Sequence, residues 1–163
     1  MMSTSFLYCA SQQTLNYKHL TISFPFNFST MVLKGITVNY LNKDSVSYQA
    51  DAVNDTSFTV KTQKDLDEFL GGYVKGFLTS MGSDFNTEIS DTSIGGARGK
   101  YLHLYSPTLQ HKSKEVFAFL TILANQSYQV IAAIYGGIDE TSRMRIKKFF
   151  ESMKFQGSQL SPG

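Results

Sequence analysis

Tyr101, His103 and Tyr105 stand at every second position of one short stretch, with Arg98 and Lys100 close by. In an extended segment alternate residues share a face. Two phenols and a titratable imidazole on one face, with two cations close by, would form an aromatic patch suited to a partner or a small anion. The competing account is structural: a half-buried strand face whose hydroxyls are hydrogen-bonded. As a general base, His103 needs a nucleophile and an orienting carboxylate nearby. No G-x-S-x-G segment supplies the first, so no catalytic residue is assigned.

Other reactive groups lead less far. The three histidines, His19, His103 and His111, have no ligand spacing such as i, i+4, and the single cysteine, Cys9, cannot form an intrachain disulfide. No metal site and no cofactor are expected. Gly95-Gly96-Ala97-Arg98-Gly99 is a Gly-rich segment with a cation. A phosphate cradle would need a helix N-terminus after it, whereas Lys100 to Tyr105 alternates like a strand, so the segment reads as a hairpin turn. Asp65, Asp67 and Glu68 read as helix-start electrostatics rather than as a catalytic carboxylate pair. Arg143, Arg145, Lys147 and Lys148 read as a solvated helix face.

These groups sit in a chain of 163 residues, a length that suits one domain. With 42% hydrophobic and 13% aromatic residues it can bury a core, and only 17% is charged. Fifteen basic side chains against 13 acidic ones give a net charge of +2, too balanced for a nucleic-acid partner. No apolar run approaches the roughly 20 residues of a membrane span. Residues 1–13 carry no period and read as a flexible leader. The apolar run Phe6 to Ala10 is too short for a signal peptide and its first basic residue, Lys18, comes too late. Cys9 is therefore read as an ordinary side chain. Were a signal peptide already removed, the abundance of hydroxyl and amide side chains would favour an exported protein, periplasmic or secreted; otherwise the expectation is cytoplasmic.

Hydrophobic period defines the elements that must position the patch. Leu15 to Phe24 alternates as one strand, ended by Pro25, which cannot donate to a ladder. Ile36–Tyr40, Val46–Ala50 and Phe58–Val60 read as further strands. From 63 to 81, Leu66, Phe69, Leu70, Tyr73, Val74, Phe77, Leu78 and Met81 keep one helical face. Thr62 and Asp65 form a capping box and Gly82 closes the helix. Gly71, Gly72 and Gly76 each weaken it by about 1 kcal/mol relative to Ala; close packing or a bend is their expected use. Strands follow over 87–94 and 100–105, then a hairpin over 116–135 whose first strand is apolar on both faces and so covered on both sides. Asp139 caps a last helix over 140–154, with Ile146, Phe149, Phe150 and Met153 on its apolar stripe.

The fold class is therefore α+β, a mainly antiparallel sheet on which two amphipathic helices bury their stripes. The order of elements resembles the Mog1/PsbP-like α/β/α sandwich. The likeness rests on Ile22-Ser23-Phe24-Pro25, the central helix 63–81, the long hairpin 116–135 and Ser152-Met153-Lys154-Phe155 at the end of the last helix. The resemblance spans about residues 15–156 and implies binding or assembly proteins without catalysis; it carries over no functional residue. A single domain over 14–156, with a tail over 157–163, is expected to act as a non-catalytic binding or assembly protein with a protein partner. The alternative is a small-ligand-binding protein or enzyme with a pocket near Tyr101, His103 and Tyr105.

Overall fold

The computed structural model describes residues 12–54, 57–106, 115–136 and 139–160. Cys9, His111 and most of the 1–13 segment lie outside them. Ten strands and two helices follow one another along the described chain. First come β1 (Gln13–Tyr17), β2 (Leu20–Phe24), β3 (Ser29–Leu33), β4 (Ile36–Lys43) and β5 (Val46–Asn54). After them come α1 (Gln63–Met81), β6 (Asn86–Ile94), β7 (Ala97–Tyr105), β8 (Glu115–Leu123), β9 (Gln126–Ile134), α2 (Glu140–Glu151) and β10 (Lys154–Phe155).

Tight reversals set the topology. Lys34-Gly35, Asp44-Ser45, Gly95-Gly96 and Ala124-Asn125 all have positive φ at both residues. That is the two-residue hairpin geometry whose twist matches the flanking strands. The result is a seven-stranded antiparallel sheet in the order β3-β4-β5-β9-β8-β7-β6, beside a three-stranded sheet β1-β2-β10.

Three layers bury the core. α1 sets Leu66, Leu70, Val74 and Phe77 on one face of the large sheet, against Leu102, Leu104, Val116 and Leu120 of β7 and β8 and Ile122 at the end of β8. On the other face, Ile146, Phe149 and Phe150 of α2, with Met153 just beyond its end, join Leu20, Ile22 and Phe24 of the small sheet against Tyr48, Phe119 and Val130. β8, buried at every position except the half-buried Phe117, is the central strand that its two-faced apolar run predicts. Thr62 and Asp65 form the expected capping box, and Asp139 accepts from the Ser142 amide at 2.6 Å.

Several elements differ from their sequence reading. The stretch 15–24 is a hairpin rather than one strand: Lys18 takes φ 56°, and β1 folds back on β2 so that Leu15 faces Ile22. Alternation continues through a two-residue turn, so period alone does not reveal the reversal. Met31 to Leu33 belongs to a strand of its own, β3. Phe58 to Val60 forms no strand, because Phe58 and Val60 pack beneath the first turns of α1 instead. In the Gly-rich segment only Gly95-Gly96 is turn; Ala97, Arg98 and Gly99 are already strand. α2 ends at Glu151, where the Ser152 amide bonds to the Lys148 carbonyl at 3.0 Å and the Ser152 hydroxyl to that of Phe149 at 2.7 Å. The freed chain pairs with β2 as β10.

The segment after 156 also docks. Beyond Lys100↔Leu120 the strands β7 and β8 part, and the Gln159 side chain fills the opening. It accepts from the Arg98 amide at 2.8 Å and donates to the carbonyls of Arg98 and Ile122 at 2.7 and 3.1 Å. Leu160 packs on the cluster of Val60, Leu66 and Leu70.

Candidate functional site

The five candidate residues divide between two faces of the sheet. Tyr101, His103 and Tyr105 lie toward α2, as the alternation of β7 requires. The Tyr101 ring meets Phe150 edge-on with centroids 5.4 Å apart, and His103 stacks on Phe117 at 4.7 Å and 2°. Arg98 turns to the opposite face and pairs with Asp67 of α1 at 2.7 Å, also donating to Gln63 at 2.9 Å. Lys100 pairs across the strands with Asp91 at 2.6 Å. The expected convergence of these two cations on the aromatic patch is therefore not found; strand pleat sends them away from it.

A charge network anchors the patch instead. Glu115, whose side chain is 5% exposed, holds His103 Nε2 at 2.7 Å through Oε1 and accepts from Arg143 Nη2 at 3.0 Å through Oε2. Glu88 lies 3.5 Å from His103 Nδ1. Arg143 thus ties α2 to β8 while its side chain still reaches solvent, and Arg145 pairs with Asp44 at 3.2 Å. Amphipathic period places both on the outer face, but only the packing shows which carboxylates they reach. His103 has an orienting carboxylate, yet among the described residues no hydroxyl or thiol hydrogen-bonds it. Burial, with the Glu115 carboxylate adding to it, pushes the Tyr101 phenol up to about 12, so Tyr101 acts as a neutral group. A cavity of about 580 Å³ lies between α2 and the β6–β7 end, lined by Tyr101, Phe117, Phe150, Arg143 and Lys147. His103 and Tyr105 do not line it.

A larger groove was not legible in the sequence. α1 rests over β7 and β8, so the same sheet face stays open over β4 and β5. The groove there has a volume of about 1080 Å³. Val38 and Val53 contribute to its floor and Phe58, Phe69, Tyr73 and Phe77 to its wall. Gly72 and Gly76 border it, with nothing within 4 Å of the place a Cβ would take. Open space, not close packing, is what these glycines leave.

Asp51 of β5 lies in this floor and is only 3% exposed. Its Oδ2 accepts from Gln49 Nε2 at 2.6 Å and from its cross-strand neighbour Gln129 at 3.0 Å. Burial raises its pKa, and the bonds from Gln129 and Gln49 offset part of that rise. The Tyr73 phenol beside it is pushed well above its ordinary range, by burial first and by the Asp51 charge second, against a hydrogen bond with Ser127. In the sequence, Gln49 and Asp51 alternate with Tyr48, Ala50 and Ala52, which reads as a solvated polar face. Only the pairing of β5 with β9 under the flank of α1 buries Asp51 and half-buries Gln49.

Among the described residues no group of three His, Cys, Asp or Glu could hold a metal ion, and no helix is long and apolar enough to cross a membrane. No protein-family model matches the chain, and no curated protein matches it. Among solved structures, the chain is similar to cyanobacterial PsbP from Synechocystis sp. PCC 6803, determined in solution. The likeness has a TM-score of 0.61 at 14% identity and covers 96% of this chain and 99% of that one. The chain therefore has a PsbP-like fold, with two helices on antiparallel sheets. At that identity the likeness shows architecture and nothing of the site.

Proposed function

We propose that the protein is a non-catalytic binding or assembly protein that engages a protein partner through the β3 edge of its large sheet. The observation that carries this reading is the end of β3, where Val32 and Leu33 are 67% and 55% exposed on an edge strand. Edge strands present unpaired backbone groups, and natural proteins commonly blunt them with charge or proline. Here adjacent apolar side chains project to opposite faces at an edge, which suits strand addition with a pocket on each side. The fold similarity supports the reading by analogy of architecture. Cross-linking in the native extract tests it. A partner captured by the wild-type protein and lost from a Val32→Asp, Leu33→Asp double variant is the expected result; a partner that ignores both changes would refute the edge as its seat.

A second reading rests on the cavity beside Tyr101: a small-ligand-binding protein or enzyme. Arg143 and Lys147, with Glu151 3.8 Å from Lys147, and the hydroxyls of Ser90, Thr92 and Ser93 line it and suit a compound that carries an anionic group. A thermal-shift screen with metabolite anions separates the two readings. A rise in melting temperature that disappears in Tyr101→Ala would favour this one, and a rise unchanged by that variant would place the ligand elsewhere.

A further inference from the structure

The groove beside α1 combines three features that the β3 edge does not explain. The first is a carboxylate buried without a counter-ion. Both described hydrogen bonds to Asp51 come from neutral amides and reach the same oxygen. Among the described residues no cation forms an ion pair with it; the groove's lysine, Lys34, and its other acid, Glu68, are both exposed. Burying a charge in this way costs stability unless a partner compensates it, and such arrangements cluster at functional sites. The second is an aromatic wall: Phe58 and Phe69 lie 5.3 Å apart by centroid, and Phe69 and Tyr73 5.7 Å. Ring faces attract cations, most strongly where water is excluded. The third is size. About 1080 Å³ lies just above the roughly 300–1,000 Å³ of small-ligand sites, room enough for one, and the two glycines keep the helix side of the groove open.

We propose that this groove binds a small organic cation, an ammonium or guanidinium on an apolar body, with its head against Asp51 and its body along Phe69, Tyr73 and Phe77. An anion would meet the Asp51 carboxylate unfavourably. A bare metal ion would find one carboxylate among amides, short of the oxygen ligands that hard cations require. The site is separate from the β3-edge reading: Leu33 borders the groove mouth, but the charged floor lies at β5 and β9.

Calorimetric titration with 4-phenylbutylamine, 4-phenylbutanol and 4-phenylbutyrate tests the proposal on the intact chain. The amine should bind at least tenfold more tightly than the alcohol, and the acid least of all. Asp51→Asn should erase the preference for amine over alcohol, and Gly72→Leu, which fills the groove from α1, should remove binding of both. Backbone amide shifts of Gln129 and Tyr73 should move on titration with the amine. Equal binding of amine and alcohol, no binding at millimolar concentration, or a preference that survives Asp51→Asn would overturn it. So would binding of an end-blocked Leu-Lys-Leu peptide while the free amine fails, because the cation would then belong to a protein side chain. Should Asp51→Asn not fold, Gly72→Leu and the comparison of the three probes still decide the matter.

Discussion

At the scale of single residues, Asp51 makes the most distinctive prediction. Its folded pKa lies above the unfolded value, so between the two the folded state holds more protons than the unfolded one. Its contribution is therefore harmless below the unfolded value of 3.8 and becomes unfavourable as pH rises through the folded value. Asp65 and Asp139 behave oppositely: backbone hydrogen bonds at the helix starts lower their pKa, and what they stabilise is lost as pH falls below the ordinary carboxylate range. Asp51→Asn keeps an amide oxygen for Gln49 and Gln129 and removes the charge. Thermal unfolding from pH 4 to pH 8 should show the variant gaining on the wild type as pH rises. Each kcal/mol recovered should raise Tm by roughly 2–4 °C for a chain of this size. A variant less stable at pH 8 than the wild type would mean that the Asp51 charge has a compensating partner. Glu115 is the contrasting acid, because Arg143 compensates its charge and His103 hydrogen-bonds it. Breaking a buried pair costs about 3–5 kcal/mol, but Arg143 and His103 reach solvent and soften the loss. Glu115→Ala should therefore lower unfolding free energy by about 1–3 kcal/mol, read from denaturant melts.

At the scale of elements, the β6–β7 turn shows why local sequence is only part of the account. Gly95-Gly96 reads as a turn from residue type alone. What the residue types do not disclose is that Gly95, at φ 59°, lies against the Met153 backbone and that its carbonyl accepts from Phe155 at 2.8 Å. A side chain there would strike main chain that cannot yield. Gly95→Ala should destabilise by more than the roughly 1 kcal/mol of an ordinary positive-φ penalty. Gly71→Ala, in open space on α1, should instead stabilise by about 1 kcal/mol. Chemical denaturation of the pair decides it; equal effects would mean that the turn is not clamped. The elements best read in advance, α1 with its capping box and the β8–β9 hairpin, are those whose signals are local and long. The β1–β2 reversal was hidden because Lys18 and His19 carry no turn signature.

At the scale of the molecule, the layers depend on the C-terminal segment. β10 extends the small sheet, and Gln159 satisfies the backbone groups left where β7 and β8 separate. Gln159→Ala would leave the Arg98 amide and two carbonyls without these partners, at a cost of about 1–3 kcal/mol. Amide hydrogen exchange should show Arg98 and its neighbours opening first; unchanged protection there would show that water replaces the side chain without cost. The same three-layer arrangement creates the two candidate sites. α2 and the small sheet fill one face of the large sheet, whereas α1 covers only the β7–β8 part of the other and leaves the groove over β4 and β5.

The sequence by itself determined the class of fold, the extent and capping of α1, the central place of β8 and the alternation that puts Tyr101, His103 and Tyr105 on one face. These follow from period and from contacts between near neighbours, which a chain carries wherever it folds. Tertiary structure alone decided that Arg98 and Lys100, which strand alternation already turns from that patch, find Asp67 and Asp91, that Glu115 gathers His103 and Arg143, and that Asp51 is buried beside Gln129. Each of these depends on which strands become neighbours and on where a helix comes to rest. A polar residue on an alternating strand has the same local pattern whether water or another element covers it, so its burial becomes visible only when the layers are assembled.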